Sequence, residues 1–200
     1  MATMKLIPSS YLLSNSSYLT ISNANNMYTD TASTTYATIN HNRSSKTAYY
    51  VYIRGFNFND IPADAIITSA IIKVKARVAN ASTNQKPALY NNTTAIAAAP
   101  TFGTAIGSSD TISTADITNT LNTYKTYGNN FGIRLSLNRT STYTASNMRI
   151  YGAEIEITYT VPSPTNDTRV GNLTPSKYYI GINEVSKIYQ GNTLIYEGGN

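Results

Sequence analysis

Two stretches of the chain alternate apolar and polar residues at every second position. They are residues 72–78 (IKVKARV) and residues 153–160 (AEIEITYT). Successive side chains of a strand point to opposite faces, so a period of two predicts a strand with one buried and one solvated face. The solvated face is basic in the first stretch and acidic in the second. We therefore expect two half-buried strands whose polar faces form cross-strand ion pairs.

Shorter runs that are rich in β-branched and aromatic residues predict further strands. All the predicted strands of the main domain are residues 18–21, 35–39, 49–54, 67–78, 87–91, 131–137 and 148–161. Residues 91–112 are mostly small or polar and predict a long surface excursion. Many strands separated by turn residues, such as Gly55 and Pro62, are typical of an all-β fold. The sequence therefore predicts an antiparallel β-sandwich of jelly-roll type over residues 1–161.

One short helix is predicted after the surface excursion. Ser113 is a candidate N-cap, and Asp116 lies three residues further on, as in a capping box. Ile117, Leu121 and Tyr124 follow at i, i+4 and i+7, which places them on one face of a helix.

The end of the chain has a different organisation. Residues 162–168 contain two prolines among polar neighbours and predict a linker, and residues 169–200 predict a β-meander of three short strands. A meander of about thirty residues is too small to bury its own core without disulfides or a metal. We therefore expect it to dock onto the main domain, another copy or a different protein. The docking residues are expected to be Tyr179, Ile180, Val185, Ile188, Tyr189, Leu194 and Tyr196.

Composition limits the function classes. Charged residues make up 12% of the chain, about half the usual share, so the surface must be built largely from Asn, Ser, Thr and Tyr. The net charge of +5 is spread along the chain, with one dense group at Lys73, Lys75 and Arg77, which does not indicate nucleic-acid binding. The chain contains no cysteine. It also has no apolar run long enough for a membrane span and no signal-peptide core, so we expect no membrane association and no export by a cleaved signal.

Few residues are suited to catalysis. His41 is the single histidine and lies in a polar run that predicts an exposed loop. Glu154 and Glu156 lie two apart and point the same way, whereas a glycosidase needs two carboxylates that face each other across a cleft. Asp60 and Asp64 flank a turn and are expected to cap it rather than to bind a metal. We expect no enzymatic activity, no metal and no cofactor, and a glycan-cleaving enzyme is kept as a third alternative.

The 17 tyrosines are the candidate ligand-binding residues. Tyrosine offers a stacking face and a hydroxyl with little loss of entropy, which suits sugar and protein interfaces. Tyrosines in polar loops are the candidates for ligand contact: Tyr28, Tyr36, Tyr127 and Tyr143, of which Tyr36, Tyr127 and Tyr143 are the chosen site residues. Three others are expected to pack inside the sandwich: Tyr49, Tyr52 and Tyr159.

Three segments resemble one family. The family is the virion proteins of phages and prophages of Gram-positive bacteria, and the similar segments are residues 56–78, 148–159 and 185–196. The first of these segments combines an aromatic-x-aromatic pair, Ile-Pro and Ile-Thr-Ser. The resemblance implies a β-sandwich on the particle exterior without an enzymatic site, and no catalytic residue transfers with it. Phage receptor binders often carry Trp at sugar sites, and this chain has none.

The expected function is therefore that of a non-enzymatic virion structural protein, exposed on the head, neck or tail. It would be made in the host cytoplasm, released by lysis and attached to the particle through a terminal module. The expected partners are other virion proteins, including further copies of this chain. The alternative is a host-surface carbohydrate-binding module that recognises cell-wall polysaccharide through loop Tyr and Asn side chains.

Overall fold

The computed structural model describes most of the chain. It covers residues 1–42, 47–79, 85–123, 128–138, 146–162, 179–180, 183–190 and 192–197. The chain divides into two compact units, residues 1–160 and residues 161–200.

The described part of the first unit contains eleven strands, which form two antiparallel sheets. In chain order they are β1 (Ala2–Leu6), β2 (Ser10–Leu13), β3 (Leu19–Ser22), β4 (Ala37–His41), β5 (Tyr49–Arg54), β6 (Ile66–Ala79), β7 (Ala88–Asn91), β8 (Thr94–Ala95), β9 (Thr111–Asp116), β10 (Phe131–Leu137) and β11 (Ser146–Thr160). Sheet 1 has the order β3-β4-β11-β6-β9, and β1 also pairs with β11. Sheet 2 has the order β2-β5-β10-β7-β8. The helical elements are α1 (Thr118–Thr123) and the 3-10 turns Ala24–Met27 and Gly128–Asn130.

The connectivity of β4 to β11 is that of a jelly roll. The first of these eight strands pairs with the last, β5 with β10, β6 with β9, and β7 with β8, so the pairs are nested. Successive pairs alternate between sheet 1 and sheet 2. This is the double-sheet arrangement that wraps a long antiparallel ribbon into a sandwich, and it confirms the predicted fold class. The first three strands extend the two sheets.

A single hydrophobic core lies between the sheets. Sheet 1 contributes Ile39, Ile72 and Ile155, and sheet 2 contributes Val51 and Ile133 to the same buried cluster. The strict alternation predicted for residues 131–137 is confirmed, since every second side chain of β10 enters this core. In β11 the alternation changes phase at a β-bulge between residues 150 and 152, which leaves an extra residue on the strand.

Two parts of the chain are more ordered than the sequence predicts. The first 13 residues supply β1 and β2, which were not predicted. β2 has four half-buried residues and no alternation, whereas residues 2–6 (ATMKL) do alternate, so the signal for β1 was present in the sequence and was missed. Residues 91–112, predicted as a surface excursion, contain β8 and the start of β9, and they bury Ile96, Phe102 and Ile106 in the core. The prediction was wrong there because three isolated apolar residues among small ones do not form a recognisable period.

The helix is shorter than predicted and begins later. Ser113 lies in β9, where its buried hydroxyl donates to the carbonyl of Thr104, so it is not the N-cap. The N-cap position is Ile117, whose carbonyl accepts from the Leu121 N–H, and Asp116 caps the first turn from one residue before it: its Oδ1 accepts from the backbone N of Thr118 at 2.9 Å and from its hydroxyl at 2.6 Å. These hydrogen bonds lower the pKa of Asp116. Leu121 is buried as predicted, and position 124 lies outside the described residues.

The second unit has four short strands in its described part where three were predicted. β12 (Tyr179–Ile180) pairs with β13 (Asn183–Glu184), and β14 (Lys187–Gln190) pairs with β15 (Thr193–Glu197). The longer hairpin is closed by an ion pair between Lys187 Nζ and Glu197 Oε1 at 2.6 Å. The predicted linker, residues 162–168, lies outside the described residues except for Pro162.

Candidate functional site

The predicted pairing of the basic and acidic strands is confirmed, but its centre is buried. β6 and β11 are neighbours, and Lys73 Nζ lies 2.7 Å from Glu156 Oε1 and 3.5 Å from Glu154 Oε1. Lys5 Nζ of β1 approaches Glu154 Oε2 at 3.1 Å, and the Thr31 hydroxyl donates to Oε1 at 3.0 Å. Glu154 is only 3% exposed, although the sequence placed it on a solvated face.

The lysines of this network are held in their charged form. The pKa of Lys5 is raised, first by its hydrogen bond to Glu154 and then by that to Asp30. The pKa of Lys73 is raised chiefly by its hydrogen bond to Glu156. The carboxylate of Glu154 therefore has two cations and a hydroxyl as partners, which is the environment of a structural ion pair rather than of a catalytic acid.

Glu154 is buried because residues 24–36 pack against β11 between two of its partners, β4, which pairs with residues 146–150, and β1, which pairs with residues 155–159. The Ala153 N–H donates to the Thr29 carbonyl at 2.9 Å, and the Thr29 hydroxyl donates to the Tyr151 carbonyl at 3.0 Å. Gly152 makes this approach possible, since a Cβ there would lie 2.2 Å from the Asp30 carbonyl oxygen. This covering segment could not be predicted, because residues 24–36 have no regular period of apolar and polar positions.

Tyr36, one of the predicted ligand-binding residues, lies at the end of that segment in a cluster with Arg149, Tyr151 and Lys75, here called the sheet 1 cluster. Arg149 Cζ lies 4.5 Å from the Tyr36 ring centroid, and the Tyr36 and Tyr151 rings meet edge to face at 5.3 Å. Lys75 Nζ lies 5.0 Å from the Tyr151 ring and donates to the Ser33 carbonyl at 2.9 Å. The Tyr36 side chain is half-buried.

The polar groups of the sheet 1 cluster are largely engaged within the protein. The Tyr151 hydroxyl donates to Asp110 Oδ1 at 2.8 Å, and Arg77 Nε lies 3.6 Å from the same oxygen. Burial raises the pKa of Tyr151, and the hydrogen bond to Asp110 raises it further. Tyr36 is therefore the part of this cluster with the most freedom to contact a ligand.

A second group of aromatic rings lies on the outer face of sheet 2. It consists of Tyr50, Tyr52, Tyr90 and Arg134, here called the sheet 2 cluster. Arg134 Cζ lies 4.4 Å from the ring centroids of both Tyr50 and Tyr90. The Tyr52 and Tyr90 rings meet edge to face at 5.5 Å, and Tyr52 is only 6% exposed. Arg54, also on this face, donates to Asn92 Oδ1 at 2.9 Å.

Sequence reasoning did not identify the sheet 2 cluster. It placed Tyr52 in the sandwich core, but Val51 and Ile53 take the inward positions of β5, and Tyr52 is buried by its neighbours on the outer face. Arg134 lies on β10 of the same sheet. The alternation within residues 49–54 was the available signal, because it places residues 50, 52 and 54 on one face.

The remaining predicted residues have mixed outcomes. His41 was expected in an exposed loop, but it lies in β4 and is only 1% exposed. Its ring centroid lies 4.9 Å from that of Tyr49, and its Nε2 lies 3.1 Å from the Thr47 carbonyl oxygen. Tyr127 and Tyr143 lie outside the described residues. Asp60 and Asp64 are exposed, and no group of three or more metal-ligating side chains occurs in the described part of the chain.

The predicted docking residues lie in the second unit. Val185, Ile188 and Leu194 are half-buried, Tyr196 is buried and Tyr189 is 56% exposed. Only the backbone is described for Tyr179 and Ile180. The docking role of these residues stays a prediction.

Comparison with protein-family models, with curated proteins and with solved structures found no match to this chain. Among the described residues, no helix has the length and apolar character needed to cross a membrane.

Proposed function

We propose that this protein is a non-enzymatic structural protein exposed on the surface of a bacteriophage particle. The observation that carries the proposal is the nested jelly-roll connectivity of β4 to β11, an architecture used by viral capsid domains and by lectins. The resemblance of three segments to phage virion proteins agrees with it. Fold alone does not define function, so the side chains must supply the second argument.

The ionisable groups support a structural role. The buried carboxylate of Glu154 is paired with Lys5 and Lys73, and Asp116 caps α1. Two carboxylates that act on a glycosidic bond lie across a cleft from each other. Glu154 and Glu156 instead lie on the same strand, β11, and both contact Lys73 of β6. These groups stabilise the sandwich, which then presents its surfaces to partners.

The second unit is proposed to attach the protein to the particle. Its described strands are two to five residues long, too short to form a stable unit without further packing. Tyr189 is exposed on the longer hairpin, where an aromatic ring can enter a pocket of a partner. The first unit, in contrast, has its own core and can fold without the second.

Attachment can be tested by supplying tagged protein to particles that lack it. Full-length protein should co-sediment with the particles in a density gradient. Residues 1–160 alone should give a native β-sheet circular dichroism spectrum and remain at the top of the gradient. The proposal fails if the full-length protein never co-sediments, and the role of the second unit fails if the truncated protein co-sediments equally well.

A second candidate function is recognition of host cell-surface polysaccharide through the sheet 1 cluster. The half-buried Tyr36 ring, with Arg149 at 4.5 Å and Tyr151 against its edge, favours it because a positioned aromatic ring is a stacking surface for a sugar. Replacing Tyr36 with alanine should abolish binding to purified cell wall, and replacing it with phenylalanine should retain most of it. Equal binding by the two variants would contradict this function.

A further inference from the structure

We infer that the sheet 2 cluster is a binding site for an anionic glycan, one that carries carboxylate or phosphate groups on its sugars. This site is distinct from the sheet 1 cluster, and it does not depend on whether the protein is part of a particle. The inference rests on the environment of Arg134, on the tyrosines around it and on the charge of the whole face.

Arg134 is a positioned cation without an anionic partner among the described residues. Tyr50 on β5 and Tyr90 on β7 flank it from the two neighbouring strands, each with its ring centroid 4.4 Å from Cζ. This packing restricts the side chain, yet within the described part of the chain no hydrogen bond or ion pair engages its N–H groups. A guanidinium so placed is suited to a bidentate contact with a carboxylate or a phosphate, because its N–H pairs match the spacing of two oxygens.

The tyrosines supply what a sugar needs next to such a cation. The half-buried rings of Tyr50 and Tyr90 pack around the buried ring of Tyr52, with centroid separations of 6.5 Å and 5.5 Å from it. Within the described residues, the hydroxyls of Tyr50 and Tyr90 have no hydrogen-bond partner, so both can bind sugar hydroxyls. An aromatic surface with free hydroxyls fits a pyranose ring better than it fits a bare inorganic ion.

The charge of the face selects an anion. The five strands of sheet 2 contain no Asp or Glu, whereas they carry Arg54 and Arg134 on the outer face. The strand carboxylates of the sandwich, Asp116, Glu154 and Glu156, all lie in sheet 1. A face with cations and without carboxylates attracts an anion and does not compete with it for the guanidinium.

The test measures binding of defined probes to the full-length protein by isothermal titration calorimetry at 50 mM and 300 mM NaCl. The probes are a galacturonate hexamer, pentamannose 6-phosphate, neutral maltohexaose and a poly-glutamate peptide. We expect binding of the uronate, the phosphorylated sugar or both, weaker at the higher salt, and at least tenfold weaker binding of the other two. Binding of poly-glutamate as tight as that of the best sugar would show a protein-binding face instead, and binding of maltohexaose alone or of no probe would also overturn the inference.

Variants locate the site. Arg134→Gln should weaken binding by at least about tenfold, since a hydrogen bond to a charged group is lost. Arg134→Lys should fall between this variant and the wild type, because it keeps the charge and loses the two-pronged geometry. Lys187→Gln removes the same charge from the second unit and should bind like the wild type. If binding survives Arg134→Gln and is lost with Tyr36→Ala, the glycan binds to the sheet 1 cluster and the inference is wrong.

A second pair of changes keeps the test valid if the arginine variants do not fold. The double variant Tyr50→Phe/Tyr90→Phe retains both rings and Arg134 and removes only the two hydroxyls. We expect it to bind the sugars several-fold more weakly with the same salt dependence. Unchanged affinity would contradict the direct role of the tyrosines.

Discussion

Replacing Gly152 with alanine tests how the segment of residues 24–36 is held on sheet 1. The added Cβ would lie 2.2 Å from the Asp30 carbonyl oxygen and 2.6 Å from that of Thr29. Ordinary contact begins near 3.4 Å, so the segment must move by about 1.2 Å. Such a shift would break the 2.9 Å hydrogen bond from the Ala153 N–H to Thr29.

The expected loss of stability follows from these contacts. Inserting a carbon into a packed site costs about 1–3 kcal/mol. Each lost hydrogen bond adds about 0.5–1.5 kcal/mol. Because one or two are lost, Gly152→Ala should lower the free energy of unfolding by about 1.5–6 kcal/mol. For a chain of this size, at about 2–4 °C per kcal/mol, that corresponds to a fall of about 3–24 °C in the melting temperature.

The assay is urea unfolding followed by tyrosine fluorescence and circular dichroism, since the chain contains no tryptophan. Gly103→Ala is the matched control: its Cβ would meet its nearest neighbour, the Thr114 carbonyl oxygen, at 3.8 Å. This control should stay within about 0.5 kcal/mol of the wild type. If Gly152→Ala is as stable as Gly103→Ala, residues 24–36 do not lie against β11 as described.

Three further predictions concern the charged groups. Lys73→Met should lower the free energy of unfolding, measured in urea, by about 1–2 kcal/mol, because Glu154 then keeps only one cationic partner. Unchanged stability would refute the pairing of Lys73 with Glu154. The pKa of Asp116 is lower in the folded state than its unfolded value near 3.8, so the ionised carboxylate stabilises the fold above that pH, and this stabilisation is lost as the pH falls through the folded pKa. Below about pH 4, Asp116→Asn should therefore lose less stability with falling pH than the wild type does. The wild type should release no reducing ends from cell-wall polysaccharide, and release that Glu154→Gln abolished would show an enzyme.

The sequence predicts most of the sandwich because its central strands bury one face each. β5 and β10 have the predicted bounds, Tyr49–Arg54 and Phe131–Leu137, since alternation and turn residues mark both of their ends. β9 was missed because Ser113 and Asp116 fit the spacing of a capping box, while pairing with β6 made most of that stretch a strand. Tertiary pairing thus overrode a local signal.

The candidate sites were less predictable because they depend on strand register and on the segment of residues 24–36, which packs against β11. Tyr50, Tyr90 and Arg134 come from three strands far apart in the sequence, and only the pairing of β10 with β5 and β7 brings them together. Glu154 has the pattern of a solvated residue, yet residues 24–36 cover it at a distance of more than one hundred positions along the chain. Period alone cannot reveal such contacts.

Electron microscopy of particles that carry the gold-labelled protein tests the central claim most directly. The label would be placed on a tag that precedes Met1 in the first unit. If the jelly roll is an exposed virion component, gold should appear on the outside of intact particles at one repeated position. Gold that is absent from intact particles, or that appears only after the particles are broken open, would contradict the account.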